Sequence, residues 1–371
     1  MRGAIGLMSG TSLDGIDVAF VETDGREQVF PGPALTIPYP REFRERLRSV
    51  LGGIGPIAEV EDELTRLHAA AVEEFLGLQS TRPVDVIGFH GHTILHSPTE
   101  RRTWQIGRGA ALAERLGKDV VADFRSADVA AGGEGAPLAS LFHAALTAKL
   151  PKPISVLNIG GVANVTWIGD GPRILAFDTG PGNALIDDWV CQHTGAAADF
   201  GGALARAGKA EFASISRFLE NSYFTRRPPK SLDRDDFQEA MPTGLSLEDG
   251  AATLTEMTVA AVMAGTQYFP EAAREWLVTG GGRHNPSLME ALQRRLKVPV
   301  RAVEAVGFDG DAIEAQAFGY LAVRSLEGLP LSLPSTTGVP QPTCGGRLFS
   351  PPRGAQPAQA AQKRNGPVVR T

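Results

Sequence analysis

Apolar and polar positions along the first ninety residues follow the periods of strands and helices in turn. Two apolar, β-branched runs flank a stretch of turn-forming residues, which predicts a β-hairpin. A further strand, two helices with 3.6-residue periodicity and a short buried strand follow it. The predicted strands cover 4–8, 16–22, 28–37 and 84–89, and the predicted helices cover 41–51 and 58–79.

The same order of elements returns about 150 residues further along the chain. Strands are predicted over 154–159, 165–168 and 174–177, a turn over 160–164 and a helix over 183–191. The repetition indicates a duplicated α/β architecture, although three strands and a turn are also compatible with chance similarity. The remaining predicted elements are helices over 250–268, 285–296 and 311–324 and a strand over 276–279.

Composition and charge narrow the class of protein. The 371 residues carry a net charge of −6 with a pI near 5.7, which argues against nucleic acid or an anionic membrane as partner. The two cysteines, Cys191 and Cys344, form no metal or disulfide motif and fit a reducing, cytoplasmic compartment. We find no signal peptide and no apolar run long enough to span a membrane. The polar 350–371 segment is predicted to be a disordered tail.

The loop over 9–15 is the first candidate for ligand chemistry. It joins two apolar strands and contains glycines, hydroxyls and a carboxylate, so its backbone N–H groups can cradle phosphate oxygens. Asp14 or Asp17 would then hold the Mg²⁺ that accompanies ATP. A plain hairpin turn without a ligand explains the same composition equally well. A Walker A sequence is missing, so ATP would bind through another kind of site.

Asp178 follows the predicted strand over 174–177 and precedes a Gly-Pro-Gly turn. A carboxylate at the end of an internal strand faces the crevice in which α/β proteins bind ligands. There it can act as a general base toward water or a sugar hydroxyl. The alternative is a structural role, in which Asp178 caps the turn by accepting bonds from Thr179 and Gly180.

Two further segments carry candidate binding residues. His90, His92 and His96 have spacings that suit a metal site. We favour hydrogen bonding to a substrate, because the segment with Gly91 and Thr93 is predicted to be a strand-end loop and no acidic ligand lies nearby in the sequence. The triplet over 280–282 follows a strand and precedes a helix, so an adenosine group can approach its backbone closely. A tight turn that requires positive φ is the alternative reading of that triplet.

A series of distinctive motifs extends over about residues 3 to 340. They are GLMSGTSLDGID at 6–17, GHTI at 91–94, VADFR at 121–125, DVAAGG at 128–133, GAPL at 135–138, LNIGG at 157–161, FDTGPGN at 177–183, PKS at 229–231 and GGG at 280–282. In these motifs and in their order, the chain resembles the anhydro-N-acetylmuramic acid kinase family. Two positions depart from the family pattern: His92 stands where relatives carry glutamine, and Thr179 replaces a residue that can be cysteine.

The resemblance implies an α/β protein with two ribonuclease-H-like domains around a central ATP and substrate cleft, the actin-like ATPase fold. The expected domains are 1–130, with the phosphate loop, and 131–349, with the catalytic base and the adenosine site; the last segment of the second is expected to pack back on the first. It also implies ATP-dependent opening and phosphorylation of 1,6-anhydro-N-acetylmuramic acid during cell-wall recycling. Another sugar kinase of this fold, or an actin- or Hsp70-like ATPase, is the alternative.

Site residues carry over motif by motif. Asp178 is the expected catalytic base and also contacts the substrate, together with His90, Thr93 and Glu314. The expected ATP-binding residues are Gly10, Thr11, Ser12, Leu13, Asp14, Gly15, Ile16, Asp17, Gly160, Gly161, Gly281 and Gly282. Mg²⁺ is expected to arrive with ATP rather than on a dedicated protein site, and the resemblance implies a homodimer.

Overall fold

The computed structural model describes residues 1–10, 13–78 and 82–352. Its first sheet begins with the antiparallel strands β1 (Arg2–Met8), β2 (Gly15–Thr23) and β3 (Val29–Pro38). Strands β4 (Val86–Phe89) and β7 (Asp119–Ala122) extend this sheet in parallel beyond β1. Between them in sequence, β5 (His92–Ser97) and β6 (Arg102–Ile106) form a separate antiparallel hairpin.

The second sheet repeats this plan. An antiparallel meander consists of β8 (Ile154–Ile159), β9 (Val162–Ile168) and β10 (Ile174–Pro181). Strands β11 (Glu275–Thr279) and β12 (Val300–Ala302) are added in parallel beyond β8. The strand order is therefore β3-β2-β1-β4-β7 in one sheet and β10-β9-β8-β11-β12 in the other. This matching order confirms the predicted duplicated α/β fold.

Helices cover both faces of the two sheets, and several of them build an additional helical layer beside the second sheet. They are α1 (Arg41–Arg48), α2 (Ile57–Leu78), α3 (Gly109–Leu116), α4 (Ser126–Ala130), α5 (Ser140–Leu146), α6 (Ala184–Thr194), α7 (Ala203–Ala207), α8 (Phe212–Leu219), α9 (Leu247–Gly265), α10 (Pro286–Leu296) and α11 (Ile313–Leu326). Side chains cap two of the longer ones: Ser246 accepts the Asp249 N–H at 3.1 Å, and Asn285 accepts the Leu288 N–H at 3.2 Å.

Helix α11 lies directly on the first sheet, although it follows the second sheet in sequence. A Cβ atom at Gly6 would stand 1.6 Å from the Ala315 carbonyl oxygen, so only glycine allows this approach. Strand β13 (Arg347–Phe349) then pairs with β7 at the edge of the same sheet. One hydrophobic core joins Ala4 and Val21 of the first sheet, Phe318 of α11, and Val156 and Leu277 of the second sheet. The division of the chain at residue 130 stays a proposal.

Three local predictions need correction. Strand β9 begins at Val162, so the predicted turn over 160–164 is confined to Gly160 and Gly161. Strand β10 continues to Pro181, with an irregular register between Asp178 and Gly180, so Asp178 lies within a strand rather than after it. The segment that begins at His92 is strand β5 rather than a strand-end loop. Thr11, Ser12 and the predicted tail beyond residue 352 lie outside the described residues.

Candidate active site

The loop between β1 and β2 contains a left-handed turn. Leu13 has φ 58°, and its N–H donates to the Gly10 carbonyl oxygen at 3.1 Å. The side chains of Leu13 and Ile16 are buried in the core of the first sheet. These two residues can therefore offer only backbone groups to a ligand, whereas Asp14 is exposed and Asp17 is half-buried.

A buried series of hydrogen-bonded side chains, which sequence reasoning missed, supports this loop. The Tyr39 hydroxyl donates to Ser9 Oγ at 2.8 Å, and Ser9 Oγ lies 2.9 Å from His92 Nδ1. The Tyr39 N–H also donates to the Asp14 carbonyl oxygen at 2.9 Å. Tyr39 thus ties both ends of the loop to the start of the chain segment that follows β3. The only sequence signal was an aromatic residue after a strand, which by itself names no partner.

The corresponding loop of the second sheet meets two other strand-end segments. The Asn183 N–H donates to the Gly160 carbonyl oxygen at 2.7 Å, and the Gly182 N–H donates to the Gly161 carbonyl oxygen at 2.8 Å. Gly281 packs beside Asn183, since a Cβ on Gly281 would lie 3.7 Å from Asn183 Nδ2. The fold therefore brings Gly160, Gly161 and Gly281 together, with Gly282 next to them. Such a glycine-lined surface exposes backbone groups to a flat or anionic ligand.

Asp178 is a buried carboxylate held mainly by backbone groups. It is 5% exposed, and its Oδ2 accepts the Leu232 N–H at 2.9 Å. Its own N–H donates to the Lys230 carbonyl oxygen at 3.0 Å, and the Tyr223 hydroxyl donates to its carbonyl oxygen. Burial raises the pKa of Asp178 to about 7, against the opposing effects of the Leu232 N–H and Arg125. A carboxylate with such a pKa suits a general base at neutral pH.

Arg125, for which sequence reasoning proposed no role, connects the two halves of the site. Its guanidinium lies near Asp178 and Glu314, and both carboxylates favour its charged form. Burial nevertheless lowers its pKa. Its Nη1 donates to the Gly135 carbonyl oxygen at 2.6 Å, and its Nε donates to His90 Nε2 at 3.1 Å. A signal was available in the sequence, because Arg125 is the last residue of the VADFR motif.

One ring nitrogen of His90 forms a hydrogen bond with Arg125, and the other forms one with the backbone. Nδ1 lies 2.9 Å from the Gly91 carbonyl oxygen, so the neutral ring donates there and accepts from Arg125 at Nε2. Burial and the positive charge of Arg125 hold the His90 pKa well below its usual range. Because both ring nitrogens have protein partners, a sugar contact through His90 would be indirect, by way of Arg125.

Glu314 reaches the site from the first turn of α11. Asn158 Nδ2, at the end of β8, donates to Glu314 Oε1 at 3.1 Å. Burial raises the pKa of Glu314, and the nearby charge of Asp17 raises it further. Burial also raises the pKa of Asp17 to about 6, while a 2.6 Å bond from Thr36 opposes the shift. The fold therefore brings Asp178, Arg125, Glu314 and Asp17 into one electrostatic unit.

Thr93 stands apart from this unit. It lies on β5, and its Oγ1 accepts a bond from Gln105 Nε2 at 3.1 Å. Within the described part of the chain, no hydrogen bond or ion pair joins Thr93 to Asp178 or Glu314. Its predicted contact with the sugar stays a prediction.

Comparison with known proteins identifies the family. The anhydro-N-acetylmuramic acid kinase family model matches residues 2–351. A protein of that name from Paramagnetospirillum magneticum is 57% identical over 353 residues, covering 94% of this chain and 99% of the relative. The corresponding protein of Acidiphilium cryptum is 54% identical over 94% of this chain and 98% of the relative. The chain belongs to the anhydro-N-acetylmuramic acid kinase family.

Membership of this kinase family makes the chain an enzyme, a phosphotransferase that uses ATP and a small-molecule acceptor. Among solved structures, the activator of 2-hydroxyisocaproyl-CoA dehydratase from Clostridium difficile with bound ADPNP is similar, with a TM-score of 0.45 and 12% identity. That similarity covers 88% of this kinase and 96% of the activator. Over the described ranges of this kinase, we find no helix with the length and apolarity needed to cross a membrane.

The donor set of this kinase suits a nucleotide-borne Mg²⁺. Asp17 and Glu314 supply oxygen atoms. A cation near them would offset the negative charge of Asp17, which adds to the effect of burial in raising the Glu314 pKa. Among the residues that the structure describes, no group of three or more His, Cys, Asp or Glu side chains could hold a metal ion. Phosphate oxygens and water would have to complete the coordination shell, which is the usual arrangement for Mg²⁺ with ATP.

Proposed function

We propose that this family member converts 1,6-anhydro-N-acetylmuramic acid, ATP and water into N-acetylmuramic acid 6-phosphate and ADP. Water attacks the anomeric carbon, and its proton passes to a base. The bond between C1 and the bridging O6 breaks, and O6 attacks the γ-phosphorus as the bond to the β–γ bridging oxygen breaks. The reaction belongs to the recycling of bacterial cell wall, in keeping with the family that the chain matches.

Asp178 is the base in this proposal. Its carboxylate is buried, has a pKa of about 7 and stays oriented by the Leu232 N–H, so it can hold and release a proton near neutral pH. The observation that carries the proposal is the position of Arg125, which influences both Asp178 and Glu314 although the three residues come from separate parts of the fold. A buried cation there stabilises the ionised base and the negative charge that develops on O6.

The phosphate groups of ATP occupy the surface between the two hairpin loops. The β1–β2 loop, with Gly10, Asp14 and Gly15, offers backbone groups from one side, and Gly160 and Gly161 face them from the second sheet. Gly281 and Gly282 allow the adenosine to approach the backbone. Thr11 and Ser12 belong to the same loop motif and are proposed phosphate ligands. Asp17 and Glu314 would hold a Mg²⁺ ion that arrives with ATP, and the ion would offset the negative charge of the phosphates.

Incubation with Mg-ATP and 1,6-anhydro-N-acetylmuramic acid in ¹⁸O-labelled water tests this function. Formation of the 6-phosphate with the label at C1 is the expected result. Asp178→Asn should lower kcat by at least about 10³-fold while the dissociation constant for ATP stays within about twofold. Label on inorganic phosphate, with an unchanged sugar, would instead indicate an ATPase. Phosphorylation of another sugar without ring opening would indicate a different kinase of this fold.

Assembly and location complete the proposal. We infer a homodimer from the family resemblance, and the outward-facing Phe200 and Phe212, 75% and 74% exposed, supply apolar surface for an interface. Light scattering on the purified chain and on Phe212→Asp measures the oligomeric state. Cytoplasmic location agrees with the free, exposed thiols of Cys191 and Cys344.

A further inference from the structure

The Pro-Lys-Ser motif at 229–231 has no role in the proposed reaction, yet its backbone passes directly along Asp178. The Lys230 carbonyl oxygen accepts the Asp178 N–H at 3.0 Å. Two residues later, the Leu232 N–H donates to the Asp178 carboxylate at 2.9 Å. The position of the carboxylate therefore depends on where the segment 230–232 is held.

The Lys230 side chain turns away from solvent and fills an aromatic cage. The residue is 1% exposed, and its Nζ donates to the Tyr223 carbonyl oxygen at 2.7 Å. The same Nζ lies 4.2 Å from the ring centre of Tyr223, 5.2 Å from that of Tyr268 and 5.9 Å from that of Phe177. These rings offer their negative faces to the ammonium group, which is a cation–π arrangement.

Such a buried ammonium group is costly to retain for packing alone. Its partners are one carbonyl oxygen and aromatic rings, and removal of a cation from water is only partly offset by such contacts. Burial accordingly lowers the pKa of Lys230 to about 8. A methionine of similar volume would fill the cage without the desolvation cost, so the charge and its directed hydrogen bond call for another explanation.

Tyr223 contacts both the ammonium group in the cage and Asp178. Its carbonyl oxygen and ring hold the ammonium group of Lys230, while its hydroxyl donates to the Asp178 carbonyl oxygen. Asp178 is thus bound on its N–H by Lys230, on its carbonyl by Tyr223 and on its carboxylate by Leu232. All three contacts converge on one residue, and Lys230 is the side chain that locks the two binding segments together.

We propose that Lys230 is a positioning residue for the reaction: its caged ammonium group fixes segment 230–232 so that the Leu232 N–H stays on the Asp178 carboxylate. The inference rests on the proposed role of Asp178 as base. The enclosed Lys230 side chain acts on Asp178 through the backbone of this segment rather than on a ligand. Without the anchor, the segment loosens, the carboxylate loses a hydrogen bond that favours its ionised form, and its orientation toward water becomes less defined.

Two measurable effects follow from this arrangement. A displaced base lowers kcat, because a shift of about 1 Å at a reacting group can cost about 100-fold in rate. Loss of the Leu232 bond raises the pKa of Asp178, so the acidic limb of the kcat/KM profile moves to higher pH. The charged and titratable groups that face Asp178 from neighbouring elements are Arg125, Glu134, Asp236 and Tyr223, and Lys230→Met leaves all four in place.

The test compares Lys230→Met with Lys152→Met. Lys152 is a matched control because its Nζ also donates to a backbone carbonyl, that of Thr147, at 2.5 Å, and burial also lowers its pKa to about 8. Lys230→Met should reduce kcat by about 100-fold and shift the acidic limb upward, with the KM for ATP within about twofold of wild type. Lys152→Met should change neither the rate nor the pH profile.

The outcomes distinguish a positioning role of Lys230 from a purely structural role. A Lys230→Met variant with wild-type kcat and an unshifted acidic limb overturns the positioning role, even if its stability falls. If Asp178→Asn retains activity, the proposed base is wrong irrespective of what Lys230 variants do. If Lys230→Met does not fold, Lys230→Gln takes its place, because the amide keeps one donor for the Tyr223 carbonyl oxygen. Lys230→Gln should lower kcat and shift the acidic limb in the same directions, but by smaller amounts. A folded Lys230→Gln with wild-type kcat and pH profile overturns the inference as well.

Discussion

Asn158 and Glu314 meet across the two halves of the molecule. The amide Nδ2 of Asn158, at the end of β8 in the second sheet, donates to Oε1 of Glu314 on α11, the helix that packs on the first sheet. One hydrogen bond therefore joins the end of a strand in one sheet to the helix that packs on the other sheet. The carboxylate of Glu314 is held by this bond and by its proximity to Arg125.

A double-mutant cycle measures this connection. Asn158→Ala, Glu314→Ala and the double variant should show a coupling of about 1 kcal/mol in the free energy of unfolding, because each single change leaves a buried partner without its hydrogen bond. Urea denaturation gives the four values. The control cycle combines Asn158→Ala with Glu327→Ala. Glu327 pairs with Arg2 at the surface, so the effects of these two substitutions should be additive. Additivity in both cycles would show that the bond contributes nothing.

The pH dependence of the reaction should follow Asp178. Because burial raises its pKa to about 7, the carboxylate is protonated below that pH and cannot accept a proton from water. We expect kcat/KM for the sugar to fall about tenfold per pH unit below the Asp178 pKa, which gives an acidic limb, and to reach a plateau above that pKa. A limb near pH 4, the usual range of an exposed aspartate, would contradict the raised pKa of Asp178.

Glu134 offers a way to move that limb. Its negative charge is among the groups that raise the Asp178 pKa, and it bonds Ser231 Oγ at 2.8 Å and pairs with Arg226. Glu134→Gln removes the charge, so the limb should move to lower pH by up to about one unit. The matched control is Glu256→Gln, since Glu256 is also a half-buried partner of an arginine but lies outside the site. An upward shift in Glu134→Gln would contradict the electrostatic explanation.

Tyr39→Phe should weaken ATP binding selectively. The variant keeps the ring and loses the hydroxyl that donates to Ser9, at the start of the proposed phosphate loop. We expect the KM for ATP to rise about five- to tenfold, the equivalent of one lost hydrogen bond, with kcat within about twofold. Tyr320→Phe is the control, because its buried hydroxyl donates to the Arg26 carbonyl oxygen instead. Equal effects in both variants would indicate a general loss of stability.

Gly280→Ala tests how closely the strand-end segments approach. Gly280 has φ 75°, and a Cβ there would stand 2.3 Å from Asn158 Oδ1 and 2.6 Å from the Ile159 carbonyl oxygen. Gly307 has φ 84° with nothing within 4 Å, so Gly307→Ala carries only the backbone strain, about 1 kcal/mol. Gly280→Ala should lower the free energy of unfolding, measured by urea denaturation, by at least about 2 kcal/mol. This variant should also bind ATP more weakly. Similar losses in the two variants would argue against the close contact.

The sequence by itself determined the type and order of the elements that it predicted, but it predicted none over 90–153 and 192–249. Strands over 154–159 and 84–89 and the helix near 285–296 were readable because buried strands and amphipathic helices impose their own periods on apolar residues. The loop motifs identified a family and thus a reaction. Boundaries were less accurate where tertiary contacts extended a strand, as at Asp178, whose strand continues through a register irregularity that no periodicity announces.

Only the tertiary structure decided which residues act together. Arg125 lies beside Asp178 and Glu314, the Tyr39 hydroxyl donates to Ser9, and Lys230 fills a cage beside Asp178. Sequence reasoning had linked none of these pairs. The tertiary structure also showed that both ring nitrogens of His90 have hydrogen-bond partners, Gly91 and Arg125. The spacing of the histidines in the sequence could not reveal these partners. The physical reason is that local pattern reports the environment of each residue, whereas a pKa, a hydrogen bond or a buried charge depends on partners that approach from distant parts of the chain.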